Sequence, residues 1–588
     1  MKGFFKYLLA SILGVIIAMF LFFFIMIGIL GAAISKQDQV VKIEKNTILH
    51  VTLDQTITDR SNKNPMESFD FSTFKPVAQL GLNDILENIK KAKTDENIAG
   101  IYLDLDIIPA GIATIEEIRN ALLDFKSSGK FIISYADSYT QPSYYIASVS
   151  DKVYLNPEGM MMFVGLRAEL MFFKEALEKL GVEMQIIRHG KFKSAVEPFM
   201  YTKMSDENRE QTMTYIGAIW NKMLTGISES RNISVDDLNK IANNLLLKNA
   251  ESAVEYKFVD GLKYKDEILD ELMTLTENTD IDKIKTIDLA KYTKVPKKDR
   301  KALEKDKIAV VYASGTVMMG EGAEGTIGSD RISQAIREAR RDSSVKAIVF
   351  RVNSGGGSAL ASEVIWREVK LAQQVKPVIA SLGDVAASGG YYIVCPAQTI
   401  VASPNTITGS IGVFGTLPNG KELMNKKLGV HIDVAKTNEY ADMGSFFRPL
   451  TAQEKDMIQF EIEEIYQTFI THVAEGRKMT TEKVDEIGQG RVWSGANAME
   501  IGLIDEFGGL DKAIELAAKA ANLEKYRVVD FPKLKDPFQQ LMEDFSGNVR
   551  TSILKNELGD EYVYYETLQD LRSMKGIQAR IPFEVEIY

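Results

Sequence analysis

Hydrophobic and polar positions along the chain alternate in three distinct ways. An uncharged, mostly apolar run extends from Tyr7 to Ser35 behind Lys2 and Lys6. It exceeds the roughly 20 residues that cross a bilayer. It is also longer than the apolar core of about 7–15 residues in a cleavable signal peptide. An uncleaved single-pass anchor is therefore predicted, with Lys2 and Lys6 in the cytoplasm and the remainder on the extracytoplasmic, periplasmic side of the inner membrane. Beyond it, short apolar runs and amphipathic stripes alternate. Residues Val40–Asp54 read as strand, Asp84–Lys93 as helix with Ile85, Ile89 and Ala92 on one face, and Gly100–Asp104 as strand. From about Ser205 to Arg231 and from about Thr451 to Arg477 the apolar period is that of a long amphipathic helix, and Thr451 with Glu454 forms a capping-box start.

The same order recurs further along. Ile332, Ile336 and Ala339 repeat the first helical stripe, and the strand Ala347–Val352 follows it. Ile85 and Ile332, and likewise Ala92 and Ala339, are 247 positions apart. The segment Ala136–Pro157 (ADSYTQPSYYIASVSDKVYLNP) matches Gly383–Pro404 (GDVAASGGYYIVCPAQTIVASP) at the same offset, and Ala250–Leu262 echoes Gly495–Phe507. One domain type is thus present twice. Alternating strands and helices predict an α/β fold with a largely parallel sheet in each copy. The predicted organisation is an anchor segment 1–36, a first copy 40–295, a charged linker 296–306, a second copy 307–535 and an extension 536–588 of mixed pattern.

Composition narrows the chemistry. With 588 residues, 45% hydrophobic and 26% charged, the chain reads as an ordinary multidomain globular protein. A net charge of -11 argues against a nucleic-acid partner. A single cysteine, Cys395, leaves no intrachain disulfide and no cysteine-based zinc site, and it reads as a buried packing residue. His50, His189, His431 and His472 are scattered without a metal-ligand spacing, so no metal and no cofactor is expected. Acid–base work falls to Lys, Asp, Glu or Tyr.

The copies differ where chemistry is expected. After the predicted strand Pro377–Leu382 comes GDVAASGGYY, in which Ser388 stands beside Ala387, Gly389 and Gly390 at a strand-to-helix switch. An accessible hydroxyl beside unpaired backbone N–H groups suits an acyl-transfer nucleophile with oxyanion donors. The first copy has Gln141, Pro142 and Ser143 at these positions. In the loop Val352–Ser358 (VNSGGGS), Gly356 and Gly357 face Pro109 and Ala110 of the first copy. Conversely Lys191 and Lys193 of Arg188–Phe199 (RHGKFKSAVEPF) stand against Glu439 and Ala441. A composite site follows, with serine and donors from the second copy and an amine from the first. The amine must be neutral to act as base, and burial between the copies would depress its pKa from about 10.4. If the backbone there is extended, Lys191 faces the same way as Lys193 and adds a second positive charge. Ser410, within Thr408–Gly415 (TGSIGVFG), is suited to hold the amine by a hydrogen bond.

The anchor, the tandem copies and the motifs VNSGGGS, GDVAASGGYY, TGSIGVFG and KSAVEPF together resemble the long form of the signal peptide peptidase A family, also called protease IV, in the ClpP/crotonase superfamily. Gly355 stands where that family usually has proline. The resemblance implies Ser388 as nucleophile, Lys193 as general base, Ser410 as the residue orienting the lysine, and Gly389 with Gly356 or Gly357 as oxyanion donors. It further implies tandem ClpP/crotonase-like domains in a homotetramer whose grooves take extended apolar peptides such as remnant signal peptides. Three rivals remain open at this level. A crotonase-type acyl-CoA enzyme fits poorly with export. A ClpP-like Ser-His-Asp protease would use His431, which alternatively reads as a strand residue between Val430 and Ile432, with Asp384, whose place in the turn favours capping. The last rival is a non-catalytic membrane-anchored scaffold.

Overall fold

In a computed structural model of the chain, the structure describes residues 3–4, 6–7, 10–21, 41–61, 69–70, 75–76, 80–278, 280, 283–296, 304–323, 325–534 and 577–581. The repeated pattern folds as two α/β copies. In the first, a six-stranded parallel sheet runs in the order Gly261–Leu262, Lys152–Met161, Phe131–Tyr139, Ile98–Asp104, Thr47–Val51, Thr286–Asp288. In the second, the order is Val492–Ser494, Ile407–Gly409, Val378–Ala387, Val345–Ser354, Lys307–Ser314, Arg527–Phe531, parallel except at the Val492–Ser494 edge. Strands covered on both faces need side chains apolar on both, which is why they read as near-continuous apolar runs.

The two equivalent helices Leu82–Thr94 and Ser329–Arg341 bury the predicted stripes Ile85, Ile89, Ala92 and Ile332, Ile336, Ala339. The long helices are Asp206–Arg231 and Ala452–Arg477. Ser205 caps the first, and Thr451 with Glu454 closes the capping box of the second. Of the run predicted as anchor, residues 10–21 are helical with exposed side chains, and 22–40 lie outside the described residues. No helix among the described residues is long and apolar enough to cross a membrane. Residues 297–303 of the predicted linker also lie outside the described residues.

A third sheet joins the copies. Its order is Ile327–Gly328, Val317–Met318, Gly356–Ser358, Ile577–Arg580, Phe414–Asn419, Glu183–Arg188. The last pair crosses between copies in a six-residue antiparallel ladder, from Glu183 opposite Asn419 to Arg188 opposite Phe414. The strand Ile577–Arg580 comes from the C-terminal extension, where the sequence pattern predicts no element. It pairs antiparallel on both sides, with Gly356–Ser358 and with Phe414 and Gly415.

Buried charge fixes the copies face to face. Arg351, on the central strand of the second copy, has no solvent exposure. Its Nε donates to Asp59 Oδ1 at 2.7 Å, and its Nη1 lies 2.8 Å from Glu117 Oε1, both carboxylates belonging to the first copy. Ser381 Oγ and Leu382 O accept from the same Nη1 at 3.0 and 3.2 Å. The two carboxylates hold the guanidinium charged against its desolvation. Asp384 makes a second link. Its carboxylate accepts from Thr114 N at 2.9 Å and Thr114 Oγ1 at 2.6 Å, at the N-terminal turn of the first copy's helix Ile112–Lys126. A Cβ on Gly111, at the N-cap of that helix, would lie 2.2 Å from the Asp384 carboxyl carbon, so only glycine admits the approach.

Removing the cation would leave two buried carboxylates facing each other. Arg351→Met is expected to destabilise the fold by about 3–5 kcal/mol, read as a lowered midpoint in denaturant unfolding; an unchanged midpoint would show that the pair carries no net stability.

Candidate active site

Ser388 sits between the strand Val378–Ala387 and the helix Gly389–Val394, at the N-cap position but without a capping hydrogen bond from its side chain. Its backbone, at φ 55° and ψ −117°, is in a region that residues with a side chain rarely adopt. Ser388 N donates to Gly409 O at 2.8 Å, which holds the turn. The equivalent turn of the first copy behaves differently. There Thr140 caps the helix Gln141–Ala147 in a reciprocal box with Ser143. Gln141, at the position of Ser388, accepts from Val164 N and Gly165 N at 2.8 Å each and donates to Gly165 O at 3.0 Å. The amide thus fills the first copy's own site. The strained turn in the second copy leaves a hydroxyl free of capping.

Lys193 is delivered to that hydroxyl by the inter-copy ladder. After Arg188 the chain continues with His189 N donating to Val413 O at 3.1 Å, then turns, and Phe192 N donates to Gln489 O at 3.1 Å. Gly490, at φ 83°, lies under the lysine backbone. A Cβ there would sit 2.6 Å from Lys193 Cα, so a side chain would push the lysine away. Lys193 is fully buried, and its Nζ lies 2.7 Å from Ser388 Oγ. It also donates to Ser410 Oγ at 3.0 Å and Ser410 O at 3.2 Å. Burial alone lowers its pKa well below the ordinary 10.5, because desolvation penalises the ammonium and no carboxylate restores it. Ser410, at φ 49° after Gly409 at φ 74°, is held with Ser410 N donating to Arg491 O at 2.7 Å. That turn points both its oxygens at the amine.

The glycine loop and Ser388 meet over the strand Ile577–Arg580. Gly356 N donates to Ser354 Oγ at 3.0 Å, so this N–H is already engaged. Ile581 N donates to Gly355 O at 2.8 Å. In an antiparallel ladder bonded and non-bonded pairs alternate, which makes Gly357 and Ala579 the next bonded pair, with Gly357 N–H directed at Ala579 O. The same carbonyl oxygen would lie 2.0 Å from a Cβ on Gly356 and 2.9 Å from one on Gly389. A carbonyl is therefore lodged among the glycines beside Ser388. The expectation of an accessible hydroxyl is corrected: Ser388 has no exposure with this strand in place.

Lys191 does not share a face with Lys193; the backbone turns at residues 189–192, and Lys191 is exposed beside the Phe192 ring. His431 is exposed in a segment without strand structure. Asp384 is engaged with Thr114. Among the described residues no histidine hydrogen-bonds to Ser388. Cys395 is buried and donates to Tyr392 O at 3.2 Å, and burial pushes its thiol up. Among the described residues no cluster of His, Cys, Asp and Glu fits a metal ion. Sequence reasoning missed Gly490, Ser354 and the strand Ile577–Arg580. The first two carry a signal in being small residues within Gly488–Arg491 (GQGR) and VNSGGGS, and the third carries none.

Comparison with known proteins gives a consistent result. The model of "Peptidase family S49" matches twice, at residues 124–279 and 370–524. "Protease 4" of Salmonella typhi is 37% identical over 490 residues, covering 80% of this chain and 77% of that protein. "Protease 4" of Haemophilus influenzae is 39% identical over 449 residues, covering 75% and 73%. "Serine protease SPPA, chloroplastic" of Arabidopsis thaliana is 33% identical over 547 residues, covering 92% and 78%.

The buried amine has a thermodynamic signature. Its folded pKa lies below 10.5, so the unfolded chain binds this proton more readily, and the lysine's contribution to stability improves as pH rises toward 10.5. Lys193→Met removes that dependence. Relative to the parent, its unfolding free energy is expected to fall by about 1.4 kcal/mol per pH unit across the window between the folded value and 10.5. A difference that stays constant from neutral to alkaline pH would contradict a neutral buried amine.

Proposed function

The chain belongs to peptidase family S49 and is a serine peptidase, and we propose that it cuts extended apolar peptides through a Ser388–Lys193 dyad assembled from its two copies. The observation that carries this reading is the 2.7 Å contact between Lys193 Nζ and Ser388 Oγ, with both groups buried. The neutral amine takes the Ser388 proton as Oγ attacks the scissile carbonyl carbon. Negative charge developing on the carbonyl oxygen is met by the N–H groups of Gly357 and Gly389. The ammonium so formed is held by Ser410, then gives its proton to the leaving amine as the C–N bond breaks. Water hydrolyses the ester by the same route in reverse.

Sheet geometry supports the substrate class. The strand edges Gly356–Ser358 and Phe414–Asn419 flank a slot one strand wide, and backbone pairing on both sides recognises an extended peptide independently of its sequence. The apolar run Tyr7–Ser35, with the exposed apolar helix at residues 10–21, supports attachment to the inner membrane with both copies on its extracytoplasmic face. Remnant signal peptides left in or near that bilayer are substrates of the matching chemistry. A histidine base is disfavoured by the exposure of His431 and the engagement of Asp384.

Ser388→Ala and Lys193→Ala are each expected to lower hydrolysis of an apolar reporter peptide by at least about a thousandfold while leaving the circular dichroism spectrum unchanged. Retention of activity by Lys193→Ala would remove the lysine from the mechanism.

A further inference from the structure

Lys193 and the serine that orients it rest on one short turn, and we propose that Tyr466 is the positioning residue that holds this turn and so sets Lys193 and Ser410 against Ser388. The inference rests on the dyad reading above. The turn is Gly488–Arg491, closed by Arg491 N donating to Gly488 O at 2.9 Å. Gln489 O accepts from Phe192 N at 3.1 Å, on the lysine's own segment. Gly490 lies under the Lys193 backbone, and its N donates to Ile411 O at 2.7 Å. Arg491 O accepts from Ser410 N at 2.7 Å. A shift of this turn therefore disturbs the base and its orienting serine together. Gln489 has φ 52°, a left-handed conformation that a residue with a side chain keeps only where its surroundings impose it.

Tyr466 imposes it. From the helix Ala452–Arg477 its buried hydroxyl accepts from Gln489 N at 3.1 Å and donates to Asp485 Oδ1 at 2.6 Å. Its ring stacks on His189, with centroids 3.7 Å apart, where the chain enters the turn that carries Lys193. His189 Nδ1 lies 2.6 Å from Glu463 Oε2 on the same helix. One side chain thus touches both the support beneath the lysine and the residue at which the lysine's turn begins. Burial, with the bond to Asp485, pushes the phenol pKa up, so the hydroxyl keeps its proton where Lys193 titrates. The first copy supplies a contrast. The equivalent caps Ser205 and Thr451 are 246 positions apart, and at that offset Trp220 stands opposite Tyr466 and Asn239 opposite Asp485. There Trp220 Nε1 donates to Asn239 Oδ1 at 3.1 Å. An indole N–H only donates and cannot receive a backbone N–H. The copy without the nucleophile keeps the pair and lacks the acceptor. Gln211 of the first copy donates to Phe192 O at 3.2 Å and accepts from Val492 N at 3.0 Å, so the copies stay docked when the Tyr466 hydroxyl alone is removed.

Tyr466→Phe in the full chain removes one oxygen and keeps the ring stack. Its kcat on an apolar reporter peptide is expected to fall by about tenfold to a hundredfold with KM unchanged. The midpoint of the pH profile for Ser388 labelling by a phosphonate is expected to rise by about one unit toward 10.5, because a loosened turn lets water back to the amine. Asp485→Ala, at a half-buried position, leaves the hydroxyl unaimed and is expected to move the midpoint the same way; it carries the test if Tyr466→Phe does not fold. A midpoint that stays or moves down in the variant that folds would overturn the assignment, even where kcat falls, since a merely structural loss lowers the amount of folded enzyme and leaves the profile in place. Peptide hydrolysis that survives Lys193→Ala would instead overturn the dyad on which the inference rests.

Discussion

A lysine amine buried without a counter-ion, one hydrogen bond from a serine hydroxyl, is the interaction on which the remaining structure depends. An exposed lysine at pH 7 is neutral in only about one molecule in 2,500, given a pKa near 10.4. It would be almost useless as a base. Desolvation reverses the preference, and here nothing opposes it, since the partners of Lys193 Nζ are the neutral oxygens of Ser388 and Ser410. Such an arrangement is costly to fold. It persists because the surroundings over-determine it, through the ladder Glu183–Arg188, the glycine at 490 and the left-handed turn at Ser410.

Duplication supplies the walls of the burial. Neither copy encloses the amine alone; the first provides the lysine and the second provides the serine, the glycine loop and the covering residues. The copies have diverged toward complementary roles. Gln141 closes the first copy's site by bonding to Val164 and Gly165, while Ser388 in the equivalent turn of the second copy hydrogen-bonds to Lys193. Charges that would be costly if unpaired, Arg351 with Asp59 and Glu117, and Asp384 with the Thr114 turn, lock the two copies in the register that brings Lys193 to Ser388. The same strand that bears Asp384 ends at Ala387, so the inter-copy lock and the position of Ser388 are set by one element.

Much of this was legible in residue order because duplication makes the chain its own comparison. The offset between Ile85 and Ile332 exposed the repeat, and the mismatch of Gln141 with Ser388 pointed to the second copy as the chemical one. The choice between Lys191 and Lys193 was not legible from spacing. It depends on a turn whose direction is fixed by tertiary partners, Val413 and Gln489, that the local sequence does not name. Arg351 reads as one polar residue in an apolar strand, and its meaning lies in carboxylates 292 and 234 positions away. The strand Ile577–Arg580 was invisible for a similar reason. Four residues of mixed polarity carry no period, and the edges that order them belong to other parts of the chain.

The most direct test of the composite dyad is the pH dependence of Ser388 labelling by a serine-reactive phosphonate, located by peptide mass mapping. In the parent, the labelling rate should rise with pH to a plateau whose midpoint lies well below 10.5, as the buried amine loses its proton, and Lys193→Ala should abolish labelling. Labelling of Ser388 that proceeds at the same rate and with the same pH profile in Lys193→Ala would contradict the account.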